Sequence, residues 1–183
     1  MEGVLRPLGG LMYRLGNNFN WNQIKINLQG DYTMNNLKFY LIDKDKIELI
    51  KPLWVELNRY HQAKSIYFEE DFSRNTFENR IRKLNRAESL LRIEVVEDIT
   101  KEELVAYSIS SVSSKKIGEI DSIYVKKEYR RMNLGDRLMK GALRWLAEEK
   151  VDSKKIAVAY GNEEVWKFYV KYGFKPRITI LED

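Results

Sequence analysis

The chain has 183 residues, of which 44% are hydrophobic and 32% charged, enough for one packed core of ordinary domain size and too short for two full domains. It contains no cysteine and one histidine, His61, which excludes disulfides, thiolate metal sites, cysteine nucleophiles and multi-histidine metal centres, and no bound metal is expected. With 32 basic against 27 acidic residues the net charge is +5, a mixed surface on which only local clustering can mark an anion site.

Residues 1–33 carry Gly3, Gly9, Gly10 and Gly16 and an asparagine-rich stretch from Asn17 to Asn22, with few charges and no sustained hydrophobic period, the composition of an appendage. Codons for Gln29-Gly30-Asp31 can spell a purine-rich ribosome-binding sequence just upstream of Met34. Met34 is therefore expected to be the natural start, with one domain over residues 34–183. The alternative is a genuine arm in which Trp21, Ile24, Ile26 and Leu28 form a short strand.

Leu37–Ile42 reads as a strand, with Asp43 as a cap for the following helix. That helix is marked by Ile47, Ile50, Leu53, Trp54, Leu57 and Tyr60 at spacings of three and four and ends near His61. Phe72, Phe77, Ile81 and Leu84 predict a second helix, capped at Ser73 or Asn75. Alternation then predicts three strands, around Leu91–Val95, Leu104–Val112 and Ile117–Val125, as an antiparallel meander with a turn at Ser113–Lys116. A helix follows from Leu134, then a strand over Ile156–Tyr160, a helix over Glu163–Tyr172 and a last strand over Phe174–Leu181. The order β-α-α-β-β-β-α-β-α-β is that of an α/β domain with a mixed sheet. Within the third meander strand, Ile123 and Val125 share a face at period two but Ile120 is out of phase, so a β-bulge is expected at Asp121-Ser122.

Lys126, Lys127, Arg130, Arg131 and Arg137 cluster between the strand ending at Val125 and the helix opening at Leu134. A strand–loop–helix there directs backbone N–H groups and a helix dipole at one spot, which suits a pyrophosphate. Asn133 and Gly135 supply residues that tolerate unusual φ. Neither a Walker A nor a dinucleotide fingerprint is present, which argues against ATP and NAD.

Tyr129-Arg130-Arg131-Met132-Asn133-Leu134-Gly135 resembles the Arg/Gln-x-x-Gly-x-Gly/Ala motif of the GNAT superfamily of acyl-CoA-dependent N-acetyltransferases, with Asn133 in place of the first glycine. Ile120–Val125 resembles that family's fourth strand, and Asn162, Phe168-Tyr169 and Gly173-Phe174 its C-terminal pattern. The resemblance implies a mixed, mostly antiparallel sheet flanked by helices on both faces. It also implies acetyl-CoA as co-substrate, its pantetheine arm in a splay beside the fourth strand. Ile123, Val125, Arg130, Arg131, Asn133, Leu134, Gly135, Asp136 and Asn162 are the expected cofactor-binding residues; Asn162 could equally be a helix cap.

Direct acyl transfer to an amine needs an oriented thioester, a deprotonated amine and a proton for the departing sulfur, and no covalent enzyme intermediate. The resemblance makes Tyr169 the expected general acid. Glu119, then Asp121, are the expected bases, since both alternate to the face opposite Ile120. The expected function is therefore acetyl transfer to a primary amine of a small molecule or peptide, the alternative being a non-catalytic acyl-CoA-binding or regulatory module. Glu69, Glu70 and Asp71 favour a cationic acceptor. No nucleic-acid motif accompanies the basic cluster, and no run of eighteen apolar residues occurs, so neither nucleic acid nor membrane is expected as a partner. A cytoplasmic location is expected, and a homodimer on general grounds.

Overall fold

The fold is that of a computed structural model, which describes residues 5–8, 11–14, 25–26, 32–34, 36–86 and 90–181. Strands β1 (Leu5–Leu8) and β2 (Leu11–Arg14) form an antiparallel pair of their own. The main sheet has seven strands in sequence order: β3 (Lys25–Ile26), β4 (Tyr32–Met34), β5 (Leu37–Ile42), β6 (Leu90–Asp98), β7 (Glu103–Val112), β8 (Ile117–Val125) and β9 (Ser153–Ile156). Every neighbouring pair is antiparallel except β8 and β9. The sheet therefore begins before Met34, since β4 pairs its three residues with Leu37–Phe39 of β5.

Period-two alternation sends Leu37 and Phe39 of β5 to one face and Tyr40 and Ile42 to the other. On the first face lies α4 (Leu134–Glu148), whose Leu134, Leu138, Met139, Ala142 and Leu146 are buried against Phe39, Ala106, Val112 and Ile120. The second face is covered by a 3₁₀ segment (Lys44–Ile50), α1 (Lys51–Lys64), α2 (Glu69–Arg74) and α3 (Phe77–Arg86). There Ile50, Leu53, Trp54, Phe77 and Leu84 pack on Ile93, Val95 and Ile109, with Trp54 and Phe77 edge to face at 5.6 Å. A short α5 (Trp166–Val170) follows a 3₁₀ turn at Glu163–Val165.

Four expectations are corrected. The helix expected through Phe72 and Phe77 is two helices: Thr76 Oγ1 accepts the Asn79 N–H (3.2 Å) and opens α3, leaving Phe72 in α2. Asp43 precedes the 3₁₀ segment without a side-chain cap, only its carbonyl accepting the Lys46 N–H (3.0 Å). β9 lies at Ser153–Ile156 instead of Ile156–Tyr160, because its outward residues are polar and carry no hydrophobic signal. Phe174–Leu181 forms no strand: Ile178, Ile180 and Leu181 are exposed and pair with no neighbour among the described residues.

Candidate active site

The pairing of β7 with β8 slips between Ile109 and Ser110, which face Ser122 and Ile120 respectively, so Asp121 is the extra residue of a bulge. The bulge restores phase, and Ile120, Ile123 and Val125 all face α4, as the break in their periodicity predicts. On its other side β8 pairs with β9 only from Ile117 to Ile120. Residues 121–125 therefore have β7 as their one strand neighbour among the described residues. The Lys126 N–H donates to the Val105 carbonyl on the β7 side (2.9 Å), whereas the Val125 carbonyl accepts from Arg130 Nε (3.2 Å). Backbone groups of successive strand residues alternate in direction, so Ile123 and Val125 both turn theirs to the open side.

At the end of this edge the chain makes a 3₁₀ turn (Lys127–Tyr129), a left-handed residue at Arg131 (φ 70°) and another at Asn133 (φ 60°, ψ 17°), and enters α4. Asn133 thus has the conformation expected of it. Gly135 does not: it lies in the first turn of α4 without positive φ, and a Cβ there would meet Phe168 at 3.7 Å, an ordinary contact. The fold itself does not require glycine at that position. The first-turn N–H groups of α4 have no intrahelical acceptors, and the dipole makes this end positive. Asp98 anchors the loop. Its carboxylate accepts hydrogen bonds from the Thr100 hydroxyl (2.6 Å), the Tyr129 hydroxyl (2.8 Å) and the N–H groups of Thr100 and Lys101, which pull its pKa down to about 2.

Not all of the basic cluster points here. Lys126 is engaged by Glu103 (2.7 Å), and the Arg137 guanidinium lies over the Phe39 ring at 5.4 Å. Arg130 and Arg131 are exposed. Leu134 is 1% exposed, so only its backbone can meet a ligand. The Asp136 carboxylate is taken by Lys140 (2.6 Å), Lys171 (2.6 Å) and the Tyr172 hydroxyl. Burial opposes its charge, but these bonds outweigh burial and hold its pKa well below the usual carboxylate range.

Across the opening, Gly161 has φ 86°, and a Cβ there would come within 2.3 Å of the Lys64 carbonyl at the end of α1, so glycine is required. This contact seats buried Asn162 beside α1. The Tyr60 hydroxyl donates to Glu164, with Asn162 Oδ1 3.4 Å from the same oxygen, and the Arg130 guanidinium lies 5.8 Å from the Tyr60 ring. Asn162 makes no side-chain cap. Tyr169 packs in the apolar cluster that holds Ile120 and Ile123, edge to face with Phe168. Burial pushes its pKa up to about 12, and among the described residues its hydroxyl has no hydrogen-bond partner.

The Acetyltransferase (GNAT) family model matches residues 54–174, a span running from α1 through the open strand and the loop to just past α5. The chain belongs to the GNAT acetyltransferase family. Solved structures share the GNAT fold: a Pyrococcus furiosus protein (23% identity, TM-score 0.61, 79% of this chain and 98% of that one), the PaiA N-acetyltransferase of Thermoplasma acidophilum in complex with coenzyme A (18%, 0.60, 79% and 92%) and an aminoglycoside acetyltransferase from an uncultured soil metagenomic sample in complex with sisomicin (12%, 0.57, 81% and 95%). No curated protein matches the chain in sequence. Among the described residues no helix is long and apolar enough to cross a membrane.

The two candidate bases of this GNAT chain have different surroundings. Glu119 is half-buried and pairs with Lys155 of β9 (2.8 Å), its register partner. The Asp121 side chain is 8% exposed, with Oδ1 3.4 Å from Arg80 of α3 and Oδ2 buried without a hydrogen-bond partner among the described residues. Burial raises the Asp121 pKa, against the opposing Ser111 hydroxyl and Arg80. His61 is wedged between the Tyr60 and Phe72 rings (6.0 and 5.7 Å), and burial lowers its pKa. Asp98 and Arg80 were not visible as site residues in the sequence, because Asp98 meets Tyr129 and Arg80 meets Asp121 from distant parts of the chain.

Proposed function

We propose that residues 34–183 form an N-acetyltransferase that moves an acetyl group from acetyl-CoA to a primary amine by direct attack. The observation that carries this reading is the open edge of β8, which runs from the Asp121 bulge to a left-handed loop at the N-terminus of α4. Such an edge fits a narrow arm bearing amide groups that ends in a pyrophosphate: strand groups for the amides, then helix N–H groups and arginines for the phosphates. The coenzyme A in the Thermoplasma neighbour and the sisomicin in the soil neighbour agree with a CoA donor and an amine acceptor.

Bound acetyl-CoA supplies an activated thioester. On this reading the backbone groups of Ile123 and Val125 hold the arm, together with Asn162. Arg130 and Arg131 supply charge at the phosphates, and Asn133, Leu134, Gly135 and Asp136 supply backbone. Asp121 accepts the proton that the acceptor nitrogen gives up, and its buried, unpaired Oδ2 ranks it above Glu119, whose carboxylate is engaged by Lys155. Tyr169, protonated throughout the neutral range, gives its hydroxyl proton to the departing sulfur.

Amine-dependent release of free thiol from acetyl-CoA, followed in wild type and Tyr169→Phe, tests this. Turnover of primary amines is expected, with kcat in Tyr169→Phe lower by about 10²-fold at unchanged CoA affinity. CoA binding without amine-dependent thiol release would contradict catalysis and leave the chain a binding module.

A further inference from the structure

On the α3 side of the sheet, beside the Asp121 bulge, a cavity of about 350 Å³ opens. Its charged lining comes from four places in the chain: Arg80 and Lys83 of α3, Lys115 of the β7–β8 turn, Glu119 and Asp121 of β8, and Lys155 of β9. Four basic groups thus face two acidic ones. Two of the four are committed, Lys155 to Glu119 and Arg80 to Asp121. Lys83 and Lys115 have no ion-pair partner among the described residues. The cavity wall therefore offers two things at once. Asp121 Oδ2 is a buried acceptor that receives no hydrogen bond of good geometry from the described residues, which is costly unless something entering the cavity supplies an N–H. Lys83 and Lys115 line the same cavity with no ion-pair partner among the described residues.

We infer that this cavity receives the acceptor and selects amines whose own molecule carries an anionic group, a carboxylate or a phosphate, with the amine nitrogen at Asp121 and the anion at Lys83 and Lys115. The inference rests on the acetyltransferase reading above and narrows it. It runs against the cationic acceptor suggested by Glu69, Glu70 and Asp71. Those acids fall in the exposed first turn of α2, where they favour the positive end of that helix; Glu70 is paired with Arg74 (2.6 Å), and none of the three lines the cavity.

The test is steady-state thiol release with 5-aminopentanoate and phosphoethanolamine as anionic acceptors and cadaverine, spermidine and sisomicin as cationic ones. The two anionic arms separate carboxylate from phosphate as the recognised group. A kcat/KM at least 10-fold higher for one anionic amine than for any cationic one is expected. The Lys83→Glu/Lys115→Glu double variant should lose that advantage by at least 10-fold, through KM, with CoA affinity by calorimetry unchanged. Preference for cadaverine, spermidine or sisomicin, or an anionic preference that survives the charge reversal, would overturn the inference and leave acetyl transfer standing. Absence of amine-dependent turnover in wild-type protein that binds CoA would instead overturn the acetyltransferase reading, and the inference with it.

Discussion

Asp121 and Glu119 lie two residues apart on one strand, and their environments separate them. The bulge turns Asp121 into the wall under α3, where Arg80, Ser111, Glu119 and Lys155 are the charged and polar groups around it and burial outweighs their combined effect. Because its pKa is raised above the unfolded value, the folded chain binds this proton more tightly than the unfolded one. The group's contribution to stability therefore weakens as pH rises from about 4 through the folded value. Asp121→Asn should accordingly stay folded at neutral pH while losing activity. In wild type the acidic limb of kcat/KM should lie above the ordinary aspartate range near pH 4, and Asp121→Asn should abolish that limb. A wild-type profile with its limb unmoved in Asp121→Asn would take the carboxyl out of the proton transfer. The bulge was legible in the sequence because a phase break in strand periodicity has few other causes; the difference between the surroundings of the two acids was not. It depends on Arg80, forty-one residues away, and on a neighbour pairing of Glu119 with Lys155 that only the parallel β8–β9 register creates.

The loop and the helices it joins are held by groups whose roles are set at the level of elements. Asp136 stands in the first turn of α4, yet its carboxylate reaches Lys171 and Tyr172 just past α5, tying the start of one helix to the end of another. Its pKa is depressed on folding, so the stability it adds is fully present above the unfolded value near 4 and is lost as pH falls below it. Asp136→Asn should lower the melting temperature by a few degrees at pH 7, and the gap to wild type should close progressively below about pH 4. A gap that stays constant down to pH 2.5 would show that the clamp does not act through charge. Elements with strong apolar periods, β5 to β8 and α4, are where alternation and three-four spacing place them, since one face of each is buried. Where tertiary context decides, the reading shifts. β9 is an edge strand with polar outer residues, and Phe174–Leu181 alternates like a strand but finds no neighbour to pair with. The helix expected from Phe72 to Leu84 is interrupted because Thr76 captures an N–H that starts a new helix.

For the molecule as a whole, three layers converge on one opening: α1 to α3 on one face, α4 on the other, and the sheet between them parted where β9 leaves β8. The family, the order of layers and the position of the loop could be read from residues 117–174, because bulge, left-handed residue and helix start follow one another within one stretch of chain. The cavity proposed for the acceptor could not, since its lining is drawn from α3, a turn and two strands. Calorimetric titration of CoA into wild type and Gly135→Val tests the central claim, that this opening holds the cofactor, most directly. Gly135 has helical backbone and ordinary room for a Cβ, so the variant is expected to fold, with a melting temperature within a few degrees of wild type. A branched side chain in the first turn of α4 should nonetheless keep the phosphates from the helix N–H groups and weaken CoA by at least about 10-fold. Equal affinity in a folded Gly135→Val, or no CoA binding by wild type, would contradict the account.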